Sequence, residues 1–252
     1  MEVHHHPHVE KKSFKEYFLE FLMIFLAVTL GFMAENIREH VSDKEHEKKY
    51  IQTFYYDLKD DTANLNGEIP FWESQIKKID TLRMELKKGD HMDKKLANIM
   101  SIYVRRYSNF LYHDRTIAQL KSSGNFRIIS KSSLADSMME YDSYILSQLR
   151  DQETHGQHLF INVNNLHDKL FDAELIDIGF KYGRAYLDSL LTADPLAYKI
   201  HLENKETVYE FYNSLEFWQF GIKWRLSSCI NLQRKAINMM NLIKKEYHLK
   251  NQ

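Results

Sequence analysis

Apolar and polar positions divide the chain into one long apolar run and a series of striped segments behind it. Residues Tyr17 to Ala34, YFLEFLMIFLAVTLGFMA, hold Glu20 as their only charged residue. As a helix they reach ~27 Å at ~1.5 Å per residue, close to the ~30 Å hydrocarbon core of a bilayer. One membrane span is the leading reading, and two others compete with it. A cleaved signal segment would need small residues before the cut, where bulky Phe32 stands. A buried core helix would suit the shorter uninterrupted stretch from Phe21 to Ala34. Glu20 lies near the start of the run, where its carboxylate can reach the interface beside Tyr17 and Phe14.

Residues 35–49 are almost wholly polar and contain neither Gly nor Pro, so the same helix is expected to continue as a solvated stalk. Ile51, Phe54, Leu58 and Leu65 then return near the spacing of a helix seam, with Asp61 interrupting the row. Packing within the chain's own bundle and self-association both fit that row. Asn66-Gly67 and Pro70 predict a turn, followed by a second helix over 69–87 that stops at Lys88-Gly89-Asp90. A third helix is expected over 92–112. Thr116 to Ile129 reads as a short helix closed by Gly124 in a left-handed conformation, with Ser130, Ser132 or Ser133 capping the next helix.

From 132 to 171 the apolar stripe of Leu134, Met138, Tyr141, Ile145 and Leu149, then Leu159, Val163, Leu166 and Leu170, keeps one helical face, with Gly156 as a local weakness. A softer stretch, 172–204, contains Gly179, Gly183 and a helix start at Asp194-Pro195. The last helix, about 205–248, carries the stripe Val208, Phe211, Leu215, Trp218, Ile222, Leu226, Ile230, Ile237 and Met240. Its aromatics Phe217, Trp218, Phe220 and Trp224 are assigned to the core. No sustained alternation of period two occurs, so no sheet is expected. The fold class is all-α: one N-terminal transmembrane helix continuing into a stalk, followed by a soluble helical bundle. The divisions are a His-rich polar tail over 1–13, the span over 14–36, the stalk or first bundle helix over 37–66 and the bundle over 67–252.

Composition supports long helices, since Gly at 8 and Pro at 3 of 252 residues are scarce. A net charge of −1 gives no general attraction to nucleic acid, which is therefore not expected as a partner. Cys229 has no cysteine to pair with in this chain and is expected as a buried, inert thiol.

Candidate chemistry is sparse. His4, His5, His6 and His8 could hold Zn²⁺, Ni²⁺ or Cu²⁺ through neutral imidazoles, giving the alternative of a metal-binding or metal-sensing membrane protein. A flexible tail explains them as well. His155 and His158 could supply half of a zinc site beside Asp151 and Glu153. Asp57, Asp60 and Asp61 read as a solvated acidic face, because a calcium site needs a loop that turns around the ion. Gly124 with its neighbouring serines could cradle an anion, although a corner between helices accounts for every feature. Zinc-protease, phosphate-loop, nucleophile-elbow and dinucleotide patterns are missing from the sequence, so no catalytic residue is assigned and the chain is read as a non-enzyme.

Two stretches carry a family resemblance: the polar exit Ala34-Glu35-Asn36-Ile37-Arg38-Glu39 and the run Leu120-Lys121-Ser122-Ser123-Gly124-Asn125. With the apolar run before them, they resemble an uncharacterised family of single-pass membrane proteins common in Bacteroidota. The likeness covers roughly 14–60 and 100–150, while the histidine-rich opening and Glu20 depart from it. The resemblance implies location and architecture, because the family has no established activity to carry over. The expected function is thus a membrane-anchored helical interaction protein, a scaffold, sensor or accessory subunit. Its partners are the lipid bilayer and a protein or a second copy at the membrane. Lys11, Lys12 and Lys15 before the span favour a cytoplasmic N-terminus in a bacterial inner membrane, with the helical domain in the periplasm.

Overall fold

The computed structural model describes residues 13–194 and 198–248, which fall into two compact units, residues 1–50 and 51–252. It is all-helical, with no strand among the described residues. Among the described residues seven α-helices follow one another: α1 (Phe14–Lys87), α2 (Lys94–Val104), α3 (Arg115–Ser123), α4 (Ser132–Asp151), α5 (Gln157–Leu170), α6 (Ala173–Ala193) and α7 (Lys205–Tyr247). In the first unit, α1 presents the apolar run with none of its most apolar 18-residue window buried. Thr29 Oγ1 returns a hydrogen bond to Phe25 O at 2.8 Å, and Arg38 pairs with Glu35 at the polar exit.

The second unit is organised by two seams. On α1 one row of buried positions, Ile51, Phe54, Leu58, Asp61, Leu65, Glu68, Trp72, Gln75, Ile79, Leu82 and Leu86, alternates steps of three and four, with Asp57 and Glu85 buried beside it. This is the 3.5-residue repeat that keeps one helix edge facing a partner helix. Here the edge is buried by the chain itself. Asp61 therefore continues the row it was expected to interrupt. On α7 the corresponding row is Phe211, Leu215, Trp218, Ile222, Arg225, Cys229, Leu232, Ala236, Met239 and Ile243. The two helices run antiparallel. Arg83 meets Tyr212 and Glu216, Gln219 Nε2 reaches Ile76 O at 3.1 Å and Asp80 Oδ1 at 2.6 Å, and Gln233 Nε2 reaches Asn66 Oδ1 at 2.7 Å.

The turn predicted at Asn66-Gly67 and Pro70 does not form, because α1 passes straight through it. Gly67 and Pro70 are both exposed, so the carbonyl freed by proline's missing N–H faces water. Leu65, Glu68 and Trp72 meanwhile keep the seam in register on the opposite edge. A buried seam this long outweighs a local penalty of ~3 kcal/mol for an interior proline. The helix does stop where expected, at Lys88 and Gly89, the latter at φ 56°.

The helix expected over 92–112 ends at Val104, and residues 106–114 run as irregular chain along α1. Side chains from one edge of α1 bond this segment and the start of α3, taken in antiparallel order. Asp57 Oδ2 accepts from Thr116 N at 3.0 Å and Thr116 Oγ1 at 2.5 Å, so an α1 carboxylate caps the start of α3. Asp61 Oδ1 accepts from His113 N at 2.9 Å and Asn64 Oδ1 from Leu111 N at 3.0 Å. Glu68 accepts from Ser108 Oγ, and Gln75 Nε2 donates to Arg106 O at 3.0 Å and Tyr103 O at 2.9 Å. The acidic residues read as a solvated face are thus mostly inside: Asp57 is 2% and Asp61 1% exposed, and only Asp60 faces solvent.

Downstream, Gly124 closes α3 at φ 67°, as its position predicts. Lys131, not a serine, occupies the cap position of α4. The stripe over 132–171 is buried except at Leu149 and Leu159, which are half-buried on either side of its expected weak point, a π-helical turn, Gln152–Gly156, between α4 and α5. Asp194 ends α6, whereas the helix start proposed at Asp194-Pro195 involves residues 195–197, outside the described residues. The sequence stripe on α7 slips by one residue after Ile222. The buried face continues through Arg225 and Cys229, leaving Ile230 and Ile237 about 40% exposed.

The two seam features separate in stability. Pro70→Ala is expected to raise the unfolding free energy by about 1–3 kcal/mol, through the restored helix bond at an exposed site. Leu65→Ala, at a fully buried seam position, should lower it by about 2–5 kcal/mol. Denaturant unfolding of both variants checks the pair.

Candidate functional site

The irregular segment delivers Tyr107 into a block of rings. Its ring stacks on Trp218 at 5.9 Å between centroids, and Trp72 meets both rings edge-on, at 5.6 Å from Tyr107 and 6.4 Å from Trp218. Phe160 of α5 closes the group at 5.0 Å from Tyr107 and 5.4 Å from Trp218. Arg225, buried on α7, lies over the rings of Trp72 at 4.6 Å and Tyr107 at 4.8 Å. Its Nη1 donates to Tyr107 Oη at 2.5 Å and its Nη2 to Ser108 O at 2.7 Å. A guanidinium held this way is neutralised by dipoles and π faces rather than by a carboxylate.

Above this floor lies a cleft of about 380 Å³, within the range of small-molecule or side-chain pockets. One wall is the end of α4 and the π-helical turn, with Ser147, Gln148, Asp151, Gln152 and His155. The other is α7, with Trp218, Phe220, Gly221 and Trp224, and Leu159 of α5 sits between them. A methyl on Gly221 would meet Leu159 Cδ1 at 3.1 Å, so the glycine sets the close approach of the two helices. Extra residues in π turns re-aim side chains and often mark functional sites. Here the end of α4 and the turn put Ser147, Gln148, Asp151, Gln152 and His155 opposite an aromatic wall.

Two of the four aromatics assigned to the core, Phe220 and Trp224, stand on this rim, and a third, Phe217, is exposed on the same helix. Trp218 is buried, but Phe217, Phe220 and Trp224 are 64%, 69% and 61% exposed at i, i+3 and i+7. The sequence signal that separates them is the strict three-and-four spacing of the α7 seam, which passes through Trp218 and leaves them off it. Contiguous exposed aromatics of this size are uncommon on a solitary surface and point to an interaction site.

The metal candidates resolve as follows. His4, His5, His6 and His8 lie outside the described residues. His155 Nδ1 pairs with Asp151 Oδ1 at 3.2 Å on the exposed surface of the π turn, and the adjacent Thr154 Oγ1 donates to Arg150 O at 2.9 Å. Among the described residues no group of three His, Cys, Asp or Glu side chains is placed to hold a metal ion. Asp57, Asp60 and Asp61 are engaged by Thr116, Arg115 and His113. Burial pushes the Asp61 carboxyl upward, against hydrogen bonds from His113 and Tyr141 that favour its charge. Cys229 is buried, and its thiol is pushed up to about 11 by loss of solvent.

Compared with protein-family models, curated proteins and solved structures, the chain matches none of them. The site is therefore read from its own chemistry.

One buried titratable group lies apart from the cleft. His167 is fully buried, stacked on Phe171 at 4.8 Å, with Nδ1 3.2 Å from Arg105 Nη1. Burial first, and then the Arg105 charge, lower its pKa to about 4, so it is neutral in the folded chain. A lowered folded-state pKa stabilises above the unfolded value, near 6.5, and that contribution is lost as pH falls toward 4. The stability of wild type minus His167→Phe should therefore fall between pH 6.5 and 4, approaching ~3 kcal/mol by the linkage of one proton. Urea unfolding of both proteins across that range checks it; a flat difference would show that the imidazole is already charged when folded.

Proposed function

We propose that the chain is a membrane-anchored helical interaction protein whose domain receives a partner in the cleft between the π-helical turn and α7. The observation that carries the anchor is the 18-residue apolar window of α1, none of which is buried. A window of that kind left in water would cost tens of square ångströms of apolar exposure per residue, so a lipid phase is its natural solvent. Residues 35–49 act as the stalk between span and bundle, and the cations at Lys11, Lys12 and Lys15 favour a cytoplasmic N-terminus in a bacterial inner membrane. Anchoring restricts the domain to the membrane plane and raises its effective concentration for partners there.

The cleft suits an apolar side chain or helix edge. Its aromatic wall supplies contact area at low entropy cost, and Gln148, Gln152 and Asp151 supply polar contacts at the rim. Scaffold, sensor and accessory-subunit roles all use such a surface.

Two outcomes follow. The full chain should stay with membranes through alkaline carbonate and high salt, and float with lipid on a density gradient; release by carbonate would remove the anchor. A photo-crosslinker in place of Ser147 should give discrete adducts in native membranes, and Phe220→Ser with Trp224→Ser should abolish them. Because both positions are exposed, that double variant should keep its unfolding free energy within ~0.5 kcal/mol of wild type.

A further inference from the structure

Cations without carboxylate partners gather where α6 bends against α2 and α1. The close approach of α6 to α2 is set by Gly179, where a methyl would lie 3.2 Å from Ile102 Cγ2 and 3.0 Å from Leu187 Cδ1. Four residues on, Gly183 takes φ 78° and ψ −178°, which only glycine adopts without strain, and the helix bends there. The approach sets Phe180 beside Arg106, whose guanidinium lies 5.7 Å from that ring and 4.6 Å from the ring of Tyr103. Lys78 of α1 reaches the same Tyr103 ring at 4.5 Å. Arg184, past the bend, belongs to the same group: burial, then the charges of Arg106 and Arg184, push the Lys78 ammonium down.

Like charges brought together this way cost free energy in the folded chain unless an opposite charge meets them. Lys78, Arg106 and Lys181 rest on ring faces instead of carboxylates, and Arg106 Nε is buried with no acceptor among the described residues. Asp188 is shared, 3.6 Å from Arg184 Nε and 3.6 Å from Lys95 Nζ, so it does not balance the group. Around the cations stand Phe180, Tyr182 and Tyr186, all exposed. Exposed aromatics beside arginine are the composition of protein-interface hot spots.

We propose that this surface docks an acidic segment of a partner protein, its carboxylates meeting Lys78, Arg106 and Arg184 and its apolar side chains lying on Phe180 and Tyr182. The guanidinium fork matches a carboxylate in shape as well as charge, and charge complementarity of this kind selects an acidic partner over a neutral or basic one. A nucleic-acid strand fits less well, because its bases need open ring faces. Here Tyr103 carries Lys78 and Arg106, and Tyr182 carries Lys181 at 5.3 Å and packs on Tyr186 at 4.8 Å. The proposal requires neither the cleft nor the anchor.

The full chain with the photo-crosslinker p-benzoylphenylalanine in place of Tyr182, irradiated in native cells, tests it. Mass spectrometry of the adduct should place the crosslink on a protein segment in which Asp and Glu outnumber Lys and Arg. That segment, made as a synthetic peptide, should bind the purified full chain, and more weakly as salt rises. Lys78→Gln and Arg184→Gln should each lower the affinity by about fivefold. Neither should change thermal melting, since Arg184 is exposed and the Lys78 ammonium gives up no carboxylate. Phe220→Ser with Trp224→Ser, in the cleft, should leave the peptide's affinity as it is. An adduct to a segment without acidic excess, to a second copy, to nucleic acid or to lipid would overturn the proposal. So would the lack of any adduct, or an affinity that both glutamine variants leave unchanged. The crosslinker at Ser147 reports on the cleft by itself, so either surface can fail without the other.

Discussion

Everything in the bundle depends on how the irregular segment between α2 and α3 disposes of its backbone. A chain without helix or sheet cannot bury its N–H and C=O groups unless something else bonds them, and each one left unpaired costs ~1–3 kcal/mol. Here one edge of α1 bonds three of those groups, Asp61 taking His113 N, Asn64 taking Leu111 N and Gln75 donating to Arg106 O, while Arg225 of α7 donates to Ser108 O, Glu68 takes the Ser108 hydroxyl and Asp57 caps α3. Carboxylates are costly to bury, so each is saturated: Asp61 takes His113 N, His113 Nδ1 and Tyr141 Oη, and Glu68 takes Trp72 Nε1 and Ser108 Oγ. The result fixes Tyr107, and Tyr107 fixes the ring block and Arg225 beneath the cleft. The polar edge of one helix is thus the remote support of an aromatic surface on another.

This explains what could and could not be read from the chain. Scarce Gly and Pro and the apolar stripes announced an all-helical protein, and the seven-residue spacing carried α4, α5 and α7 close to their observed bounds. The stop at Lys88-Gly89 and the left-handed cap at Gly124 were legible because glycine at such positions has a local cause. Local rules failed where tertiary bonding replaced them. Pro70 signals a break only if the seam does not need the helix to continue, and Asp61 and Arg225 disrupt a stripe only if polar residues are assumed to face water. Both are buried, hydrogen-bonded members of their seams. Counting them as such keeps the spacing strict, and the exposure of Phe217, Phe220 and Trp224 then follows. The bend at Gly183 left a fainter trace, an aromatic and basic run around one glycine, which single-residue periodicity does not register.

Function divides along the same lines. The apolar portion of α1 is unburied over a length that matches a bilayer, and the bundle displays two aromatic surfaces with different neighbours. Around the cleft the polar groups are Ser147, Gln148, Gln152, His155, the Asp151 carboxylate and the Arg225 guanidinium. Around the α6 bend they are the cations Lys78, Arg106, Lys181 and Arg184.

Native-state hydrogen exchange at the amides of Leu111, His113 and Thr116 examines the central interaction directly. If α1 side chains hold this segment, these amides exchange only through global unfolding, with protection matching that of the α1 and α7 seams even though Leu111 and His113 belong to no helix. Exchange at the rate of an exposed loop, with the seam amides still protected, would show that the polar edge of α1 does not hold the segment and that the cleft's floor is not fixed by it.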